Sequence, residues 1–144
     1  MSLDVNETEI IVDNGVSEPD STELDLSRFY MLKRLVIGDH CFSYVEKVKL
    51  IGLAELESVE IGENSFTQQK NGGYESDPNR HFYLKNCPNL KSLKMGQFSF
   101  SYYSVIEIEN VDALEVIEMG DLNEVSVNFA LASLELKSVL FHSE

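Results

Sequence analysis

A chain of 144 residues with 43% hydrophobic content is long enough for one domain with a continuous core, which excludes a wholly disordered chain. Its 25 acidic against 11 basic residues give a formal charge of −14, which repels nucleic-acid phosphates and anionic membrane surfaces, so no nucleic-acid partner is expected. No stretch approaches the roughly 18 apolar residues of a membrane-spanning helix, and no membrane insertion or secretion leader is expected.

The chain opens on an acidic lead-in, residues 1–23. From Met1 to Ser27 it carries Asp4, Glu7, Glu9, Asp13, Glu18, Asp20, Glu23 and Asp25 and no Lys or Arg. Within it Ile10 and Val12 alternate as strand residues do, and Asp13 to Gly15 would close a degenerate first coil. From residue 24 to 141 one pattern recurs. Leu32-Lys-Arg-Leu35-Val-Ile37-Gly38, Leu56-Glu-Ser-Val59-Glu-Ile61-Gly62, Leu90-Lys-Ser-Leu93-Lys-Met95-Gly96 and Leu114-Glu-Val-Ile117-Glu-Met119-Gly120 start 24, 34 and 24 residues apart. A fixed period of this size is the signature of a stacked repeat array.

A second set of alternating apolar pairs runs out of phase with the first: Leu24/Leu26, Val48/Leu50, Phe82/Leu84, Ile106/Ile108 and Leu134/Leu136. Between the two sets stands one more apolar position, filled by Phe29, Leu53, Cys87, Val111 and Val139. Two period-two segments per coil predict two short strands per coil, and stacking makes Leu35, Val59, Leu93 and Ile117 one buried column. Each Gly after the first strand suggests a bend taken at positive φ. Phe42, Phe66 and Phe100, with Phe129 as a shifted fourth member, suggest an aromatic spine just past those bends. The expected fold is a mainly β repeat solenoid, a right-handed parallel coil of about five 24-residue repeats with little helix.

The L-x-x-L-x-(I/M)-G strand, the following (S/C)-F turn and the apolar pair before the next leucine resemble the leucine-rich repeat superfamily. They are most similar to its divergent BspA-like repeats. The likeness covers about residues 24–141 and implies a curved binding module, although such a fold hosts many functions. The chain departs from the common repeat in lacking its turn Asn, to which only Asn64 comes near, and in suggesting a strand where many members have a helix.

The long interval holds a polar, Gly- and Pro-containing insertion at residues 67–80, expected as a surface loop between coils. Its Tyr74 and Arg80 are residue types enriched at binding hot spots, and Tyr83, Tyr102 and Tyr103 complete the candidate partner-binding set. Outward strand positions would stack Glu60, Lys94 and Glu118, an alternation of charge that helps fix register.

Sequence signatures of phosphate loops, activated nucleophiles and zinc sites are missing, and His40, His81 and His142 are scattered. Neither a cofactor, a metal nor an enzymatic activity is expected. The two cysteines, Cys41 and Cys87, are too few for a disulfide-framed scaffold and point to an intracellular, reducing compartment. The expected function is protein binding. The alternatives are a structural segment of a longer array, self-associating end to end through Val139, Leu140 and Phe141, or a surface adhesion or carbohydrate-binding module. The strand faces show no aromatic column of the kind that stacks on sugars.

Overall fold

The computed structural model describes residues 3–18, 20–67 and 77–120, together with the backbone of one further strand at Ser133–Lys137. It is a parallel β-solenoid of about four turns, and no helix occurs among the described residues. One sheet stacks β1 (Glu9–Val12), β3 (Arg34–Ile37), β5 (Ser58–Ile61), β7 (Ser92–Met95) and β9 (Val116–Met119) in that order. The other stacks β2 (Glu23–Asp25), β4 (Lys47–Ile51), β6 (Asp77–Lys85), β8 (Tyr103–Glu109) and β10 (Ser133–Lys137). The Ile10/Val12 alternation forms β1, which pairs in register with β3 as β2 does with β4, so both strands already belong to the stack.

The sheets form because residues one repeat apart lie side by side. Ile10, Leu35, Val59 and Leu93 stand in one buried column, and Val12, Ile37, Ile61 and Met95 in the next. On the other sheet Val48, Phe82 and Ile106, and beside them Leu50, Leu84 and Ile108, point to the same core. Leu32, Leu56 and Leu90, with Phe29, Leu53 and Cys87, fill the corners. Burial of these side chains is the main driving force, since a single coil has no other apolar surface against which to close. The column ends differently from its expected course: Ile117 and Met119, on the last described strand of the first sheet, are exposed.

The bends do not work as the glycines alone suggest. Of the four strand-ending glycines Gly120 takes positive φ, +67°, as expected, but Gly38, Gly62 and Gly96 do not. These three are glycines because the coils touch there: a Cβ on Gly62 would lie 2.6 Å from the carbonyl carbon of Gly38, and one on Gly96 2.7 Å from that of Gly62. The Gly62 and Gly96 N–H groups donate to the Ile37 and Ile61 carbonyls at 2.8 and 2.7 Å, drawing the backbones together. The left-handed residues come two and four positions later, at His40 and Phe42, Asn64 and Phe66, and Phe98 and Phe100. Side chains rarely adopt this conformation, which costs on the order of 1 kcal/mol each. The phenylalanines offset that cost by stacking, with ring centroids 5.4 Å apart for Phe42–Phe66 and 4.7 Å for Phe66–Phe100.

Between the two left-handed residues, a short polar side chain ties each coil to its predecessor. Ser65 Oγ donates to the Gly38 carbonyl at 2.8 Å and accepts the Cys41 N–H at 3.1 Å. Ser99 Oγ repeats this one coil on, donating to the Gly62 carbonyl at 2.6 Å and accepting the Ser65 N–H at 3.2 Å. Buried backbone groups that leave the strand ladders are thus satisfied, which an apolar residue at these positions could not do.

Candidate functional site

The insertion is shorter at its C-terminal end than the sequence suggests, because residues 77–80 belong to β6 and not to a loop. Asp77 aligns with Tyr103 and His81 with Val105, so Pro78, Asn79 and Arg80 stand against Ser104 alone, in a bulge. The Asn79 N–H caps Asp77 Oδ1 at 2.9 Å, and the Asp77 N–H donates to the Tyr102 carbonyl at 2.9 Å. This bulge turns Arg80 inward.

Arg80 is fully buried, contrary to its expected place on a partner surface. Its Nη2 donates to the Ser43 carbonyl at 3.2 Å, its Nη1 approaches the Val45 carbonyl at 3.5 Å, and its Nε lies 3.4 Å from Asp77 Oδ2. Tyr103 is equally buried and is likewise corrected from surface to core. Its hydroxyl donates to the Val45 carbonyl at 2.6 Å, and the Arg80 guanidinium lies 5.8 Å from its ring centroid. Burial pushes the Tyr103 hydroxyl well above the ordinary tyrosine range, against the opposing pull of the Arg80 charge. The reason is geometric: Tyr103 begins β8 directly above the bulge, where the interior needs a large side chain with a polar tip. A buried guanidinium survives only because carbonyl oxygens and a carboxylate surround it.

Tyr83 and Tyr102 are the candidates that keep surface, both half-buried. Tyr74 lies outside the described residues, as do Phe129 and the apolar run Val139 to Phe141. On the outer face of β6 the Tyr83 hydroxyl lies 2.6 Å from His81 Nδ1, while His81 Nε2 lies 2.8 Å from the Pro78 carbonyl. A carbonyl only accepts, so Nε2 carries the proton and Nδ1 accepts from the tyrosine in the neutral ring. Lys85 Nζ lies 5.1 Å from the Tyr83 ring centroid and bridges Glu107 and Glu109 at 3.6 and 3.8 Å. Lys47 and Lys49 of β4 lie in register beside His81 and Tyr83.

No protein-family model, curated protein or solved structure matches the chain.

Both ring nitrogens of His81 are engaged, Nδ1 by the Tyr83 hydroxyl and Nε2 by the Pro78 carbonyl. Among the described residues no three His, Cys, Asp or Glu side chains cluster as a metal would require. Burial raises the Cys87 thiol above its ordinary value despite backbone hydrogen bonds, which makes it a poor nucleophile. Sequence reasoning set His81 aside as one of three scattered histidines and made neither Asp77 nor Lys85 a site candidate. The Asp-Pro-Asn run was the available signal, since Asp favours a side-chain-capped turn.

A second concave feature lies at the first coil. A cavity of about 340 Å³ is floored by Leu26, Phe29, Phe42 and Val45 and rimmed by Leu3, Leu24, Glu18, Ser21, Glu23, Asp25 and Arg28.

Proposed function

We propose that this chain is a non-catalytic protein-interaction module of the leucine-rich-repeat type, using the outer face of β4, β6 and β8 with the adjoining insertion. One observation carries the reading: the root of the insertion is locked into the core by Arg80, whose guanidinium reaches the Ser43 and Val45 carbonyls of the preceding coil. A neutral insertion has no need of a buried charge at its base, whereas a presented segment gains affinity from a rigid base. The half-buried Tyr83, oriented by His81 and flanked by Lys85, supplies an aromatic surface of the kind that dominates protein interfaces. The leucine-rich-repeat assignment rests on the recurring L-x-x-L-x-(I/M)-G segments, whose last four residues before Gly build the strands β3, β5, β7 and β9. The second strand in each coil is its departure from most of that superfamily.

The test is affinity capture from the source cell followed by measurement of direct binding with the recovered partner. Replacing residues 68–76 with a Gly-Ser linker, or making Tyr83→Ala, should weaken binding at least tenfold while leaving thermal unfolding nearly unchanged. Binding unaffected by both changes would sink this reading.

A further inference from the structure

Among the described residues, one edge of β2 in the first coil has no strand beside it. Lys47 N–H donates to the Thr22 carbonyl at 3.1 Å and Leu26 N–H to the Lys49 carbonyl at 3.0 Å, so the even-numbered residues of β2 spend their backbone groups on β4. In a parallel ladder the alternate residues face the other way, which leaves the N–H and C=O of Glu23 and Asp25 directed outward. Among the described residues no strand pairs with that edge. The cavity lies against the same strand, with Leu24 half-buried on its wall.

The chemistry of an occupant can be read from the strand already paired with β2. Opposite Glu23, Leu24 and Asp25, β4 sets Lys47, Val48 and Lys49, and Lys49 Nζ lies 3.2 Å from Glu23 Oε1. Opposite charges also meet across neighbouring strands of the other sheet, Arg34 against Glu9 and Lys94 against Glu118. The open end presents acid in both sheets and calls for basic residues in the next strand outward.

We propose that β2 and its adjoining cavity form a second docking surface, which takes an extended protein segment of alternating basic and apolar residues as an added parallel strand. Backbone bonds to Glu23 and Asp25 hold the segment, two basic side chains meet their carboxylates, and the apolar residue between them covers Leu24 and enters the cavity. Arg28, with its guanidinium 4.9 Å from the Phe29 ring centroid, bounds the cavity and disfavours a third basic residue there. This surface is separate from the β6 face, and either can fail without the other.

The probe is a fluorescein-labelled, end-blocked peptide with the sequence of residues Glu46–Gly52, titrated with the full chain in an anisotropy measurement. Saturable binding is expected, weakening at least tenfold when both peptide lysines become glutamate or when the backbone amides facing β2 are N-methylated. The double variant Glu23→Gln/Asp25→Asn keeps the Asp25 side-chain oxygen that accepts the Ser27 N–H, and should weaken binding at least fivefold with an unchanged circular dichroism spectrum. Replacement of residues 68–76 should leave peptide affinity as it was. Absence of saturable binding at millimolar protein overturns the proposal, as does equal binding of the N-methylated peptide. Concentration-dependent dimerisation abolished by the double variant would also overturn it, by assigning the edge to a second copy of the chain.

Discussion

Tyr103 donates its hydroxyl to the Val45 carbonyl oxygen at 2.6 Å, joining β8 to the segment that leads into β4, two strands away in the same sheet. The bond skips the coil of β6, where the bulge at Asp77–His81 has removed the regular repeat position. Arg80 converges on the same carbonyl from that coil. Three successive coils are therefore pinned at one buried oxygen.

Tyr103→Phe should cost about 1–2 kcal/mol, because it removes one buried hydrogen bond while leaving the ring packing intact. It should also change the alkaline limb of stability. The hydroxyl is pushed up in the folded state by burial, so the folded protein holds its proton at pH values where the unfolded chain, near 10, releases it. That stabilisation is fully present below about pH 10 and is lost as pH rises beyond it. Urea unfolding between pH 8 and 11 should show a steeper alkaline decline for the parent chain than for the phenylalanine variant; parallel curves would contradict the burial.

Arg80→Ala should destabilise by about 3–5 kcal/mol, since it strips a buried ion pair and the donors to two carbonyls. Replacing residues 68–76 with a short flexible linker should change stability by about 1 kcal/mol or less, because closure entropy varies slowly with loop length. Thermal unfolding of the two variants separates the root of the insertion from the insertion itself. Equal midpoints would show that Arg80 does not hold the bulge.

Two glycines should respond oppositely. Gly62→Ala forces a methyl to within 2.6 Å of the Gly38 carbonyl carbon and should cost about 1–3 kcal/mol as the stacked coils part. Gly52 takes φ +72° with open space around it, and the corresponding left-handed corners hold Asn86 and Asn110. Gly52→Asn should therefore be within about 0.5 kcal/mol of the parent, since Asn tolerates this conformation. Denaturation midpoints decide both; a well-tolerated Gly62→Ala would mean the coils are looser than the backbone bonds imply.

Ser65→Ala should cost about 1–3 kcal/mol by orphaning the Gly38 carbonyl and the Cys41 N–H. Ser65→Cys should lose less. A thiol already stands at this position one coil earlier, where Cys41 donates to the Asp13 carbonyl at 3.1 Å. Amide hydrogen exchange at Cys41 reports the bond directly, and unchanged protection in Ser65→Ala would argue against the ladder.

The sequence by itself determined the parallel stack, because residues one repeat apart become neighbours and each must match the one above it. Leu35, Val59 and Leu93 read as a column in the sequence and pack as one. Glu60, Lys94 and Glu118 stand in register with alternating charge, and so do Lys33, Glu57, Lys91 and Glu115, which the sequence pattern left unremarked. Tyr83 was legible as a surface position for the same reason, since alternation assigns a side of the strand. Tertiary structure alone decided where Arg80 and Tyr103 go. An insertion suspends the equivalence between coils, and the direction of its side chains depends on carbonyls supplied by Ser43 and Val45 from the preceding coil. It alone also decided what Gly38, Gly62 and Gly96 are for, because their constraint is the backbone of a neighbouring coil and not their own conformation.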